Sequence, residues 1–312
     1  MPKSTKGFIL VFVSAFCFAL LPIFGKFAYS LGATPLNLLA WRFIVAAGAL
    51  WLTVPFLVGR QIKVSLTDLA HFVLQGIIGY GLASIGFFNA LTYLDASLVS
   101  ILLYTYPVLV TILSRLVFRE KLSPLRWLII AMTFAGSFLV TNLLQTPLGQ
   151  VPWKGVLFGL QAALAYSVFN IYGQKTTANT PPLVVSTYAV SSMAVFFALI
   201  VPKHELMSIN LPLLGIASVI GVVSTIIPII TYLSGIKHIG ASRAAIISTF
   251  EPVFTIILAF LILGDHLTMS QSIGASLIFA GVIILQLEKR PDPAVEKSDV
   301  PLTAPPEDAK SL

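Results

Sequence analysis

Ten stretches of about 20 predominantly apolar residues follow one another along this chain, and a bilayer core of roughly 30 Å needs one such helix per crossing. They lie at approximately 7–28, 36–58, 69–92, 97–117, 125–145, 153–174, 182–201, 211–233, 241–262 and 269–287. Of the 312 residues, 57% are hydrophobic and 10% are charged, where soluble domains average about 25% charged. Polar side chains are therefore too few to cover a water-facing surface, and the chain is expected to be an all-α integral membrane protein. Connections as short as Asp95-Ala96 and Gly240-Ala241 force antiparallel hairpins and leave no room for an extramembrane catalytic domain. The single cysteine, Cys17, excludes a disulfide framework, and no Cys/His spacing suits zinc, so neither metal nor cofactor is expected.

The ends have a different character. Lys3 and Lys6 precede the first run, and Cys17 lies within it, but Phe16 is too bulky for a lipoprotein cleavage site and the run is too long for a signal core. Residues 1–6 are expected as a short cytoplasmic N-terminus. From Glu288 the sequence becomes EKRPDPAVEKSDVPLTAPPEDAKSL, rich in proline and charge and without aromatics, which predicts a disordered tail over 288–312.

A shift of 145 residues (241 minus 96) aligns Ala96-Ser97 with Ala241-Ser242, Pro107 with Pro252, Glu120 with Asp265, and Gly136 with Gly281. Near the start the shift becomes 148 (154 minus 6), pairing Lys6-Gly7 with Lys154-Gly155. The chain thus divides into halves of five spans, 7–145 and 153–287, joined by a linker over 146–152. Five is odd, so the second half enters the membrane from the other side, giving two inverted five-helix repeats, which is a transporter architecture. Short-loop charges agree, because Lys and Arg accumulate on the cytoplasmic side. With the N-terminus inside, that side holds Lys3, Lys6, Arg60, Lys63, Arg115, Arg119, Lys121, Arg126, Lys175, Lys237, Arg243, Lys289 and Arg290, against Lys26, Lys154 and Lys203 outside. Both termini are expected in the cytoplasm. The basic residues alternate with apolar runs, which speaks for orientation in a membrane and against nucleic acid.

Only two ionisable side chains lie well inside the apolar zone, Arg42 and Glu251. Each costs roughly 2.5–3.5 kcal/mol near the bilayer centre, so it must face a cavity or a partner. Glu251 comes ten residues into its span (251 minus 241) and sits near the midplane, and Arg42 six residues into its own (42 minus 36). In the repeat alignment Glu251 matches Tyr106 and Arg42 falls opposite Ala189, so the charges are not duplicated. Two readings stand side by side. Glu251 binds a cationic group of a substrate or carries a coupling proton, or else Arg42 and Glu251 form an ion pair that fixes helix packing.

Pro22, Pro107, Pro228 and Pro252 fall within spans, where each removes a helical hydrogen bond. The breaks would shape a cavity, with packing adaptation as the alternative. Tyr80, Tyr104, Tyr106 and Tyr166, with Trp41, Asn89 and Asn170, supply the aromatic faces and polar groups that orient an organic ligand, the midplane Tyr80, Tyr106 and Asn170 foremost. Tyr29, Tyr93 and Trp153 suit the interfacial aromatic belt.

With Arg42 in WRF, TYPV around Pro107, REKLS from Arg119, and the partner stretch FEPVF through LGDHLT, the chain resembles the EamA-like permeases of the drug/metabolite transporter superfamily over nearly its whole membrane region. The resemblance implies a central cavity exposed alternately to each side, a small organic solute as partner, and export of amino acids or related metabolites across a plasma membrane. A proton or counter-substrate as coupling partner and the oligomeric state stay open. The rival classes are a non-transporting sensor and an intramembrane enzyme. The first lacks a soluble output domain. The second lacks a midplane His, a nucleophile turn and a carboxylate dyad, and no GxxxxGK[ST] loop exists for primary transport.

Overall fold

A computed structural model describes residues 3–94, 96–120, 122–140, 152–207, 209–263 and 268–288. Among them all regular structure is helical. Ten segments carry the apolar runs: α1 (Ser4–Ser30), α2 (Pro35–Ile62), α3 (Leu66–Ala90), α4 (Val99–Phe118), α5 (Pro124–Val140), α6 (Trp153–Asn179), α7 (Pro182–Ile200), α8 (Leu211–Ile239), α9 (Ala241–Ile262) and α10 (Met269–Leu287). All but α5 are long and apolar enough to cross a membrane within the described residues. Several starts are fixed locally. The side chains of Thr34, Ser65 and Asn210 accept from the backbone N–H three residues on, and Thr268 with Gln271 forms a reciprocal capping box.

Two helices overrun their expected ends by five residues or more. α6 continues to Asn179 and α8 to Ile239, and in α6 the Thr176 and Thr177 hydroxyls donate to carbonyls of the preceding turn. Gly240 alone joins α8 to α9, at φ 84° and ψ 159°, a backbone region open essentially only to glycine. The linker over 146–151 and the tail from residue 289 lie outside the described residues, as does Asp95.

The packing has the pairing that two exchangeable halves would produce. α1 packs on α8 and α6 on α3, while α2 with α7, α4 with α9, and α5 with α10 pack each on its own counterpart. Atomic detail repeats the relation. A Cβ built on Gly7 would lie 2.5 Å from Ile239 and 2.9 Å from His238, and one on Gly155 would lie 2.5 Å from Leu94 and 2.8 Å from Tyr93. Shifts of 148 and 145 carry the first trio onto the second. Likewise Gly136 meets Ile278 at 2.7 Å and Gly281 meets Thr133 at 2.9 Å. These glycines let helices approach closely, as membrane packing favours. Outside the bundle, Leu52, Phe56, Leu116, Leu199 and Leu261 are exposed around the circumference, an apolar belt suited to lipid.

The end of the bundle where α1 begins carries Arg60, Lys63, Arg115, Arg119 and Lys237 and is called the basic face below; the other end is the opposite face. At the basic face Glu288 lies where the tail is expected to begin, and it is not part of a disordered segment. Its carboxylate accepts from Arg126 Nη2 at 3.0 Å, Arg243 Nη2 at 3.0 Å and Ser123 Oγ at 2.5 Å, with the side chain 9% exposed. Glu120 adds a second carboxylate 3.8 Å from Arg126 and accepts from Gln174, so the Glu120 loop is engaged rather than freely solvated. Burial pushes the Glu288 carboxyl up, but the Ser123 hydroxyl and the two guanidinium groups outweigh it and hold it below its ordinary value. A depressed carboxyl stabilises the fold at neutral pH and loses that contribution as pH falls through the acid range. Glu288→Gln is therefore expected to lower stability by about 2–3 kcal/mol at neutral pH, since it removes the carboxylate shared by two largely buried arginines. Thermal melts of purified protein check this, and the difference between the two forms should shrink on acidification.

Candidate functional site

α4 and α9 cross in the middle of the bundle, and both are interrupted there. α4 breaks over Tyr104 and Thr105, before the segment Tyr106–Phe118, and α9 breaks over Ser248 and Thr249, before Phe250–Leu258. Pro107 and Pro252 stand second and third in the restarted segments, where a missing N–H leaves no helical bond unmade. Pro22 follows the turn at Leu20 in the same way, and Pro228 follows the π-helical turn Val222–Ile226. The Ser14 hydroxyl donates to the Pro228 carbonyl at 2.8 Å, tying α1 to α8.

On the basic side of the crossing the helices are stitched together. The Tyr106 and Ser248 hydroxyls are hydrogen-bonded to each other, Tyr106 also donates to the Ala245 carbonyl at 3.4 Å, and Thr111 and Ser242 share a hydrogen bond of 3.1 Å. Every residue from 241 to 250 is buried. Glu251 is the first that is not: it is half-buried.

From there an aromatic wall crosses the interior. Tyr106 meets Tyr166 edge-on at 4.8 Å between ring centres, Tyr166 meets Tyr80 at 5.9 Å, and Phe169 stacks on Tyr166 at 5.7 Å. The Tyr232 hydroxyl donates to Asn170 Oδ1 at 2.5 Å, and Asn170 donates back to the Tyr166 carbonyl at 2.8 Å. Arg42 closes the far end. Its Nη2 donates to the Tyr80 hydroxyl at 3.1 Å and its guanidinium carbon lies 4.5 Å from the centre of the Phe43 ring, a cation–π arrangement. Arg42 is 3% exposed, and its Nε has no hydrogen-bond partner in the protein.

Glu251 lies within electrostatic reach of the hydroxyls of Tyr104, Tyr106, Tyr166 and Tyr232. Its carboxylate makes no hydrogen bond and no ion pair with the described residues. The Arg42–Glu251 ion pair, one of the two readings of the sequence, is thus not formed: Arg42 is taken up by Tyr80 and Phe43, and the aromatic wall stands between the charges. Opposite charges at membrane depth flank one aromatic surface, an arrangement able to hold an ion or dipolar molecule by both ends.

Of the residues singled out from the sequence, Glu251, Arg42, Tyr80, Tyr104, Tyr106, Tyr166 and Asn170 converge here. Trp41 does not. Its indole N–H donates to the Leu206 carbonyl at 2.9 Å, on the short helix Lys203–Met207 at the opposite face. Asn89 donates to Ile85 of its own helix at 2.9 Å, nine positions past Tyr80 toward the opposite face. Phe43, Phe169, Tyr232 and Ser248 belong to the group and were missed. Tyr232 escaped because its span was expected to end at 233, which put it at the boundary, whereas α8 runs on to Ile239 and carries it inside.

Comparison with known proteins accords with this architecture. The profile of the EamA-like transporter family matches twice, over residues 5–142 and 153–287. An uncharacterized transporter of Bacillus subtilis, YcbK, is 28% identical over 297 residues, spanning 92% of this chain and 95% of its own. A second from the same organism, YyaM, is 24% identical over 258 residues, spanning 80% and 84%. A solved crystal structure superposes with a TM-score of 0.77 over 91% of this chain and 97% of its own, at 20% identity, a likeness of fold. The protein is a multi-pass membrane transporter, and it belongs to the EamA-like transporter family of the drug/metabolite transporter superfamily.

Proposed function

We propose that this transporter works by alternating access as a secondary exporter of a small metabolite that carries both an anionic and a cationic group, an amino acid or a related compound, across a plasma membrane with both termini in the cytoplasm. One observation carries the reading. Arg42 and Glu251, each at a depth where a lone charge is costly, have no charged partner among the described residues and face a shared wall of Tyr80, Tyr166 and Tyr106. A solute lying along that wall would give its anionic end to the guanidinium, its cationic end to the carboxylate, and its apolar body to the tyrosines.

The test compares intracellular and extracellular metabolites of cells expressing the wild type, Glu251→Gln or no transporter, at matched membrane levels. A compound is expected outside with the wild type and at least tenfold less with Glu251→Gln. Equal export by both forms removes Glu251 from the site, and no difference between wild type and empty cells removes the exporter reading.

A further inference from the structure

The Arg42 end of the aromatic wall offers hydrogen-bond donors. Arg42 Nη2 donates to the Tyr80 hydroxyl oxygen at 3.1 Å, so the Tyr80 O–H proton is directed elsewhere and meets no acceptor among the described residues. The Arg42 Nε–H is buried without an acceptor as well. Around the Tyr80 ring stand Phe18, Phe43, Tyr166 and Phe169, none of which carries a carboxylate. Two unengaged donors on and beside a guanidinium, inside an aromatic shell, suit a carboxylate. An ammonium on the carbon next to that carboxylate would be brought up to the guanidinium with no anion of the protein to pair it, and burying an unpaired charge is costly.

The group able to pair a cation lies further along. Glu251 stands near Tyr104 and Tyr106, whereas Arg42 is bonded to Tyr80, and Tyr166 lies between the two groups. The steps are long. The Arg42 guanidinium carbon is 5.9 Å from the Tyr80 ring centre, which is 5.9 Å from that of Tyr166, which is 4.8 Å from that of Tyr106. The helices agree, because α2 packs on α7 and α8 while α9 packs on α1, α4 and α10. Trp41, next to Arg42, is bonded to the short helix at the opposite face, and Glu251 follows the hydroxyl contacts on the basic side of the crossing. In an α-amino acid the nitrogen lies only about 2.5 Å from the carboxyl carbon. That is less than any one of these steps.

We propose that the site selects a solute whose carboxylate and ammonium sit at opposite ends of an aliphatic chain, an ω-amino acid of five carbons or more, and that Arg42 with Tyr80 makes the selection by taking a carboxylate that has no ammonium on the adjacent carbon. The inference rests on the reading of a solute with two opposite charges given above, and narrows it. Length and chemistry point the same way. An extended chain advances roughly 1.2 Å per bond, so five bonds between nitrogen and carboxyl carbon cover about 6 Å, one step along the wall. The methylenes would lie on the tyrosine rings, the carboxylate would accept from Arg42 Nε and the Tyr80 hydroxyl, and the terminal ammonium would reach Glu251. Each charge is then paired and no second ammonium is left beside the guanidinium.

Three probes on one six-carbon skeleton test this: 6-aminohexanoate carries the terminal ammonium alone, norleucine the α-ammonium alone, and lysine both. Their apparent Kd values are read from the ligand-dependent melting temperature of the purified full-length protein, with hexanoate and hexylamine as single-charge references. We expect 6-aminohexanoate to bind roughly tenfold tighter or more than each of the other four. Arg42→Met should bring it down to the level of hexylamine, and Glu251→Gln to that of hexanoate. Tyr80→Phe should weaken 6-aminohexanoate and leave hexylamine unchanged, a split that general loosening of the fold would not produce. If norleucine binds as tightly as 6-aminohexanoate, the separated charges are overturned while the reading of a solute with two charges stands. If lysine matches 6-aminohexanoate, or Arg42→Met keeps the preference, selection by Arg42 and Tyr80 is overturned. If none of the three shifts the melt, this inference and the reading beneath it fall together.

Discussion

Replacing Arg42 with methionine is expected to leave the protein as stable as the wild type, or more so, while cutting export at least tenfold. The two halves of this outcome have one cause. Arg42 is buried and, among the described residues, has no carboxylate partner and leaves Nε unbonded, so its desolvation is offset by the Tyr80 hydroxyl and the Phe43 and Tyr80 rings. Removing an uncompensated buried charge in favour of an apolar side chain of similar length is commonly neutral or stabilising. A residue kept for packing would behave in the opposite way, since its loss would lower stability and function together. Thermal melting of purified protein beside an export assay separates the cases, and a large drop in melting temperature for Arg42→Met would assign the residue to structure. Arg42→Lys should fall between, because an ammonium keeps the charge but not the planar fork that can grip an anion by two bonds.

The second large effect is expected from Gly274→Val, which should remove most folded protein from the membrane. A Cβ at this position would lie 2.6 Å from the Gly136 carbonyl oxygen and 2.8 Å from the Val140 nitrogen. Both are backbone atoms of α5 and cannot rotate aside, so the helices must separate. Overpacking that side chains can absorb costs about 1–3 kcal/mol, and a backbone obstacle belongs at or above the upper end. Gly48→Val is the control, since a Cβ at Gly48 meets nothing within 4 Å. Recovery of monodisperse protein by size-exclusion chromatography should be near wild type for the control and strongly reduced for Gly274→Val.

How far the sequence could be read varies from residue to residue. The spans followed from hydropathy, because a bilayer demands about 20 apolar residues at a stretch and tolerates little else. Arg42 and Glu251 stood out for the complementary reason. Misreadings cluster where helices end. Tyr232 stands beside the expected end of its span at 233, yet α8 runs on to Ile239 and carries it inside. Glu288 was assigned to the tail because charge and proline begin there, and nothing local reveals that two arginines from distant helices await it. Trp41, expected among the aromatic faces of the site, sits one residue from Arg42, but successive helical residues point about 100° apart, which sends its indole to Leu206.

The sequence by itself determined the membrane class, the ten spans, the two related halves and the two isolated charges, since each of these is carried by residues near one another in the chain or by a constant shift along it. Only the tertiary structure decided that Arg42 binds Tyr80 instead of Glu251, that Tyr232 and Ser248 join the site, and that Tyr106 and Thr111 of α4 are hydrogen-bonded to Ser248 and Ser242 of α9. Those outcomes depend on how each helix is rotated about its axis and on which helices from distant parts of the chain meet, and a linear pattern of apolar residues records neither.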